Sequence, residues 1–161
     1  MRKWILAWMG CLLALLPLAT PAAPALQAFE PDSLTPLIAS QQGRPFVLIV
    51  WSLDCTYCQV SLKTLAEMQR AHRTLRVVTL STDPLEHEEA AAQVKQRLAS
   101  LGLRGPAWAF GAAPPEQLHY AIDPRWRGEK PRSYWFDAHG GKTAYSGLIT
   151  RERIEQFLAQ P

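Results

Sequence analysis

The chain has 161 residues, with 17 lysines and arginines against 14 aspartates and glutamates, and therefore a formal net charge of +3. So small a basic excess gives no indication of a nucleic-acid partner or of an acidic surface as a partner. The length suffices for one domain with its own core, and the sequence contains no internal repeat.

The first residues are typical of an export signal rather than of a folded element. Arg2 and Lys3 precede an apolar run from Trp4 to Leu18, and small residues and prolines follow from Ala19 to Pro24. This order predicts a cleaved signal peptide over residues 1–22. An uncleaved anchor is the alternative, but a run of about 15 apolar residues is shorter than the ~20 that a spanning helix needs.

The remaining chain divides into two parts. Residues 23–40 are predicted to be an N-terminal extension, in which the Ala- and Pro-rich stretch from Ala19 to Ala28 forms a short tether. Residues 41–161 are predicted to be the single folded domain. Because a signal peptide carries a protein across the inner membrane, we expect the mature chain in the periplasm, with a membrane-anchored form as the alternative.

The first predicted strand and helix flank a pair of cysteines. Phe46–Trp51 is a continuous apolar run, typical of a strand that is covered on both faces. After the turn Ser52–Asp54, the motif Cys55-Thr56-Tyr57-Cys58 opens a segment whose apolar residues recur at helical spacing to about His72. A second strand with a buried pattern is predicted over Arg76–Ser81.

The rest of the chain alternates between helices and strands. Asp83 followed by Pro84 predicts a helix start, and that helix is expected to keep Ala90, Val94, Leu98 and Leu101 on one side and to end at Gly102. The elements predicted after it are a strand over Pro106–Phe110, a short helix over Pro114–Tyr120, a basic loop over Asp123–Lys130, a hairpin over Ser133–Gly147 and a last helix capped by Thr150. This order predicts an α/β domain, a central mixed sheet with helices on both faces.

The cysteines indicate the chemistry. Cys11 leaves with the signal peptide, although a lipid attached to Cys11 is an alternative, so the mature chain has only Cys55 and Cys58. A disulfide across so short a loop stabilises a fold very little, and no second pair of ligands completes a zinc site. At the start of a helix, however, backbone N–H groups favour a thiolate. We therefore expect Cys55 to attack a partner's disulfide and Cys58 to resolve the mixed disulfide, with no cofactor.

A family resemblance extends this interpretation. The strand Phe46–Trp51, the Cys55–Cys58 motif, Pro131 before the strand Tyr134–Asp137, and the Gly140-Gly141 turn together resemble the thioredoxin superfamily, and their order is most similar to its TlpA/ResA-like exported members. The resemblance covers the chain from about Phe46 to Leu158. It implies a thioredoxin-like fold, a cis bond between Lys130 and Pro131, and a groove over Pro131 in which a partner's chain pairs as a strand. It also implies that Lys130 tunes the redox pair.

Several residues depart from the family pattern. Asp54 replaces the tryptophan that often precedes the first cysteine, and Ser61 replaces a glutamate. Tyr57 resembles the disulfide isomerase pattern. Asp54 is expected to raise the pKa of the Cys55 thiol through like-charge repulsion, and Lys130 is expected to oppose it.

Aromatic and basic neighbours complete the candidate site. Trp51 is expected in the core and is a candidate for lining the active site, and Trp126 is expected on an exposed contact surface. The basic run around Pro131 consists of Arg125, Arg127, Lys130 and Arg132. It is either a solvated loop or a means of recognising an acidic partner or stabilising the thiolate. The four histidines are expected at the surface or in turns.

These observations predict an exported thiol–disulfide oxidoreductase, acting as a reductant on client proteins that carry cysteines or disulfides. By resemblance, the clients are apocytochromes or metal-site cysteines, and electrons come from a membrane or periplasmic donor. A disulfide isomerase or oxidase is the second hypothesis, motivated by Tyr57 and Lys130. A copper chaperone that binds Cu(I) through Cys55 and Cys58 is the third, because soft thiolates suit that ion.

Overall fold

The computed structural model describes residues 25–160 of the chain. Residues 1–24 and Pro161 lie outside this part, so the predicted signal peptide over residues 1–22 and the alternatives at Cys11 stay predictions. Among the described residues, no helix is both long enough and apolar enough to cross a membrane.

The described strands form one mixed sheet. They are β1 (Leu26–Phe29), β2 (Phe46–Trp51), β3 (Val77–Pro84), β4 (Ala107–Phe110), β5 (Arg132–Phe136) and β6 (Lys142–Ser146). Their order across the sheet is β1-β4-β3-β2-β5-β6. The first four run parallel to one another, whereas β5 is antiparallel to β2 and β6 is antiparallel to β5. The predicted mixed sheet is confirmed.

Helices cover both faces of this sheet. They are α1 (Leu34–Ala39), α2 (Thr56–Ala71), α3 (Glu88–Leu101), α4 (Pro115–Ile122) and α5 (Arg151–Leu158). The central strand β2 shows why two layers are needed, since all six of its residues are buried. Val47, Ile49 and Trp51 pack in one cluster with side chains of α2, α3 and α5. Leu48 and Val50 point to the other face and pack with side chains of α1 and α4, as alternation along a strand requires.

The N-terminal segment belongs to the sheet, which corrects one prediction. Strand β1 pairs in parallel with β4, from Leu26 opposite Ala107 to Phe29 opposite Phe110. The tether predicted up to Ala28 is therefore wrong from Leu26 onwards, and the predicted extension contributes both β1 and α1 to the fold. The Ala- and Pro-rich composition was misleading because one large buried side chain can anchor a four-residue strand to the sheet. In β1 this side chain is that of Phe29, which is fully buried.

The start of α3 corrects a second prediction. Asp83 does not cap a helix, because β3 continues to Pro84, which lies opposite Phe110 of β4 after an irregularity in the ladder. Helix α3 begins at Glu88, with His87 at its N-cap position. The predicted end is confirmed, since Gly102 adopts a left-handed conformation with φ of 66°. The buried side of the helix consists of Ala91, Val94 and Leu98.

Candidate active site

The cysteine pair lies where the central strand gives way to the longest described helix. Strand β2 ends at Trp51, and Cys55 is the N-cap residue of α2, with extended backbone angles φ −90° and ψ 101°. Cys58 lies in the first turn, and the two residues form a disulfide with their Cα atoms 5.2 Å apart. Cys55 is partly exposed, whereas Cys58 is fully buried. Of the two sulfur atoms, a large partner can therefore reach only that of Cys55.

The helix itself assists the exposed sulfur. The backbone N–H of Cys58 donates a hydrogen bond to Sγ of Cys55 at 3.1 Å. The first N–H groups of a helix have no partner within the helix, and together they carry the positive end of its dipole. After reduction, the same groups would stabilise a thiolate on Cys55 and so make it the better nucleophile and leaving group.

A chain of three polar side chains borders the motif. Lys130 Nζ donates a hydrogen bond to Ser52 Oγ at 2.7 Å, and the Ser52 hydroxyl donates a short hydrogen bond to the Asp54 carboxylate. The hydrogen bond from Ser52 and the charge of Lys130 together hold the pKa of Asp54 below its ordinary value of 3.8. Asp54 is therefore ionised at neutral pH, directly before Cys55 in the chain.

Lys130 also connects the ends of two neighbouring strands. Besides Ser52 after β2, its Nζ reaches Thr82 Oγ1 in β3 at 3.1 Å. The peptide bond between Lys130 and Pro131 is cis, as the resemblance implied, and Pro131 is buried at the start of β5. The structure thus brings Lys130 close to the segment that carries Asp54 and the cysteine motif, from which it is separated by more than 70 residues in the chain.

The loop between β2 and Cys55 is held from two sides. Gln59 Nε2 donates to the carbonyl oxygens of Ser52 and Leu53 at 3.3 and 3.2 Å, and its Oε1 accepts from Arg97 Nε of α3 at 2.6 Å. On the other side, the backbone N–H of Leu53 donates to Asp83 Oδ2 at 3.0 Å. Asp83, predicted as a helix cap, therefore holds the loop that leads to Cys55.

Two aromatic residues of the predicted site have opposite placements. Trp51 is fully buried in the same apolar cluster as Cys58. Tyr57, between the cysteines, is 66% exposed. Val60, on the next turn of α2, is also exposed, and together the two side chains offer an apolar contact beside Cys55.

Two arginines of the basic run form salt bridges with acids. Arg132 contacts Asp123 at 3.2 Å and Glu129 at 3.3 Å, and Arg125 contacts Asp123 at 3.6 Å. Burial opposes ionisation of Asp123, but hydrogen bonds from the Arg125 backbone and the Arg132 side chain outweigh it and lower its pKa. Of the four basic residues, Lys130 alone hydrogen-bonds to the segment that carries the cysteines.

Trp126 corrects another prediction. Its side chain is buried, its indole N–H donates to the Glu129 carbonyl at 2.8 Å, and its ring packs at 4.5 Å against the ring of His119. It therefore shapes the loop before Pro131 rather than offering an exposed contact. His119 is half-buried, and burial, followed by the charge of Lys130, lowers its pKa.

Sequence reasoning missed five residues of this neighbourhood: Ser52, Gln59, Thr82, Asp83 and Arg97. One signal was present, because Thr82 and Asp83 directly follow the strand predicted over Arg76–Ser81, and the carboxyl ends of parallel strands meet at one edge of a sheet. Gln59 and Arg97 left no such signal, since their contact depends on how α2 and α3 lie together. Among residues 25–160, no group of three or more His, Cys, Asp or Glu side chains is placed to hold a metal ion.

Comparisons with known proteins agree with this architecture. No protein-family model and no curated protein sequence matches the chain. Solved structures do match. A secreted disulfide oxidoreductase of Mycobacterium tuberculosis, homologous to E. coli DsbE, has a TM-score of 0.56 and 18% identity over 75% of this chain and 84% of its own. A thioredoxin-family thiol:disulfide interchange protein from Chlorobium tepidum has a TM-score of 0.57 and 19% identity over 74% and 81%.

StoA from Bacillus subtilis is a further match, with a TM-score of 0.52 and 16% identity over 72% of this chain and 83% of its own. At such low identities, these likenesses concern the backbone. They confirm a thioredoxin-like fold over 72–75% of the chain, as the resemblance in the sequence implied.

Proposed function

We propose that this chain, which has a thioredoxin-like fold, is an exported thiol–disulfide oxidoreductase that reduces disulfides in client proteins. The observation that carries the proposal is the cysteine pair at the start of α2, with Cys55 accessible and Cys58 buried behind it. This asymmetry suits an attacking and a resolving thiol. The names of two structural neighbours, a secreted disulfide oxidoreductase and a thiol:disulfide interchange protein, support the same chemistry.

The reaction begins with the reduced pair. The Cys55 thiolate attacks one sulfur of a client disulfide, forms a mixed disulfide and releases the other client sulfur as a thiolate, which takes up a proton. Cys58 then loses its proton and attacks Cys55 Sγ, which releases the client's second thiol and leaves the Cys55–Cys58 disulfide. Two electrons pass to the client. A dithiol donor restores the pair by the reverse sequence, and no cofactor takes part.

The negative charge of Asp54 next to Cys55 supports transfer of electrons from this protein to the client. A carboxylate next to Cys55 disfavours a second negative charge there, and the hydrogen bond from Ser52 helps to keep Asp54 ionised. A reduced form with a less stable thiolate corresponds to a lower reduction potential, because strong oxidants such as DsbA, at about −120 mV, stabilise their reduced form. Lys130, which is linked to Asp54 through Ser52, weakens the repulsion between Asp54 and a thiolate on Cys55. The carboxylate nevertheless stays next to Cys55 in the chain.

The reduction potential tests the direction. Equilibration of the protein in dithiothreitol and glutathione buffers, followed by alkylation and mass measurement, should give a value in the range of about −200 to −270 mV, where reductants such as thioredoxin lie. A value near −120 mV would instead assign an oxidase, and a value near −180 mV together with recovery of scrambled substrate would assign an isomerase.

Trapping tests the chemistry and identifies the client. Without Cys58 the mixed disulfide cannot be resolved, so a Cys58→Ser variant expressed in the native host should accumulate clients bound to Cys55. The Cys55→Ser variant is the matched control and should trap none. Fractionation of the same cells should place the chain in the periplasm. Equal trapping by both variants would contradict the assignment of Cys55 as the attacking sulfur.

A further inference from the structure

A second cluster of charged side chains lies at the end of the sheet opposite to the cysteines. Arg44 precedes β2, Arg73 and Arg76 precede β3, and Arg104 precedes β4. Since these three strands are parallel, their starting ends meet at one edge of the sheet. Cys55 follows the far end of the six-residue strand β2, about 20 Å away at 3.3 Å per residue. This edge is therefore separate from the redox site.

The arginines surround a cleft. A cavity of about 530 Å³ has Arg44, Arg73 and Arg76 among its lining residues, with an apolar wall of Pro45, Phe157 and Leu158. A second cavity of about 260 Å³ shares Arg73 and Arg76 and adds Arg104. The larger volume lies within the range of small-molecule sites, about 300–1,000 Å³. One wall of the cleft is thus cationic and the other apolar.

Among residues 25–160, the charges in this cleft have no counter-ion. Arg44 donates to the Gln42 side chain, Arg76 to the Gln41 side chain and Arg104 to the Gln69 carbonyl, and all three acceptors are neutral. No carboxylate of residues 25–160 forms a salt bridge with any of the four, although Arg125 and Arg151 each form one elsewhere and Arg132 forms two.

Arg76 contributes a buried polar group to the cleft. Its Nε is buried and has no hydrogen-bond partner among the described residues. Burial, together with the charge of the neighbouring Arg44, lowers its pKa. Repulsion between adjacent guanidinium groups and an unpartnered N–H both disfavour the empty cleft, and an anion bound there would relieve both.

We propose that this arginine cleft binds a molecule that carries a phosphate group on an apolar moiety. Planar guanidinium groups match phosphate oxygens with pairs of hydrogen bonds, and several unpaired positive charges suit a doubly charged anion better than a single carboxylate. The apolar wall of Pro45, Phe157 and Leu158 would take the rest of the molecule. Two sources supply this chemistry: a soluble phosphate ester and the phosphate headgroup of a lipid.

Titration with phenyl phosphate and with inorganic phosphate tests the proposal, with backbone amide chemical shifts of the purified protein as the readout. We expect saturable shifts at the starts of β2, β3 and β4, and binding of phenyl phosphate about three times tighter or more, because its ring reaches the apolar wall. Arg73→Gln should weaken binding about tenfold. Arg73 is exposed, so its replacement should leave the fold intact, and the unshifted amides in the same spectra check this.

Arg127→Gln is the matched control, since Arg127 is another exposed arginine, but it lies in the loop near the redox end. It should change the affinity for phenyl phosphate less than about twofold. Shifts that rise linearly without saturation, or that Arg73→Gln and Arg127→Gln alter equally, would overturn the proposal in favour of general charge attraction. Tighter binding of a glutamate-rich peptide than of phenyl phosphate would also overturn it.

Flotation with vesicles separates the two sources. Binding to vesicles that contain phosphatidic acid, whose phosphate is a monoester as in phenyl phosphate, would support the proposal with a lipid as the ligand if Arg73→Gln removes that binding, Arg127→Gln preserves it and phenyl phosphate binds saturably. Saturable binding of phenyl phosphate without vesicle binding would support it with a soluble ester. Vesicle binding that both variants weaken equally, without saturable binding of phenyl phosphate, would contradict it.

Discussion

At the scale of single residues, Ser52 connects the charge of Asp54, next to Cys55 in the chain, with the charge of Lys130. Its hydroxyl accepts a hydrogen bond from Lys130 and donates one to Asp54, so it links the cation to the carboxylate. The sequence placed both charges in the site, yet it could not tell which would act on Cys55. Asp54 precedes Cys55 directly in the chain, and the structure places the hydrogen bonds of Lys130 on Ser52 and Thr82.

Replacement of Lys130 by methionine should raise the pKa of Asp54 towards 3.8, because the charge of Lys130 is one of the two main causes that lower it. A carboxyl group with a depressed pKa stabilises the folded state above its ordinary pKa, and this contribution is lost as the pH falls through the depressed value. The stability that Asp54 contributes above pH 3.8 should therefore shrink, and the part of the acid loss of stability that comes from Asp54 should become shallower. Carboxyl chemical shifts measured against pH check the pKa, and Lys130→Arg should preserve it.

Replacement of Asp54 by asparagine should make reduced Cys55 more reactive, since it removes a negative charge next to the forming thiolate and keeps the shape of the side chain. Alkylation of the reduced protein by iodoacetamide at neutral pH should become about two- to fivefold faster, the range expected for a partly solvated charge pair. Asp32→Asn removes a carboxylate outside this site and serves as the control. An unchanged rate in Asp54→Asn would mean that Lys130 already cancels the effect of Asp54.

At the scale of elements, the active-site loop is held between α2 and β3. Gln59 secures the two carbonyl groups of the loop, and Asp83 secures the N–H of Leu53. The strand, the motif and the helix were predictable because each has a local pattern. These anchors were not, because they join residues about 30 positions apart or depend on helix packing. The pattern Asp83-Pro84 was misread for this reason, since a helix cap and a loop anchor use the same carboxylate.

Replacement of Asp83 by alanine should free the loop. It leaves the N–H of Leu53 without its acceptor, and the expected loss of stability is about 1–2 kcal/mol. Hydrogen exchange at Leu53 should accelerate more than exchange at the centre of β2, and urea unfolding gives the loss of stability. Asp83→Asn keeps an acceptor oxygen and should recover most of both effects. Equal losses in the two variants would show that the charge of Asp83 matters and that its position as an acceptor does not.

The N-terminal strand gives a second prediction at this scale. Phe29 is fully buried and packs against Trp108 and Phe110, so Phe29→Ala should cost about 3–5 kcal/mol of unfolding free energy. Gln27→Ala, at an exposed position of the same strand, should cost less than about 0.5 kcal/mol. Urea unfolding of the two variants checks this. If both changes were equally mild, β1 would be a tether rather than a strand of the sheet.

At the scale of the whole molecule, the parallel strands give the sheet two chemically different ends. The redox end could be predicted because Cys55, Cys58 and the residues around Pro131 match a known order of motifs. The arginine cleft could not, because its residues come from three segments that meet only when β2, β3 and β4 align in parallel. Each of these arginines, taken alone, reads as an ordinary solvated side chain next to a strand.

The proposed direction of electron transfer has a consequence for the stability of the whole fold. In a thermodynamic cycle, the difference between the unfolding free energies of the oxidised and reduced protein reflects the difference between the reduction potentials of the unfolded and folded chain, with about 1.4 kcal/mol for every 30 mV. A reductant has a disulfide that folding makes harder to reduce. The oxidised protein should therefore be the more stable form, in line with a carboxylate, that of Asp54, next in the chain to a neutral disulfide sulfur rather than to a thiolate.

Urea unfolding with and without dithiothreitol measures this difference, and the midpoint should fall on reduction. The double variant Cys55→Ser, Cys58→Ser is the control, since dithiothreitol should not change its midpoint. In Asp54→Asn the gap between the two forms should narrow, because the reduced form no longer places a thiolate beside a carboxylate. A reduced form more stable than the oxidised one would reverse the direction of transfer and assign the protein as an oxidant, while the exchange chemistry at Cys55 would stand.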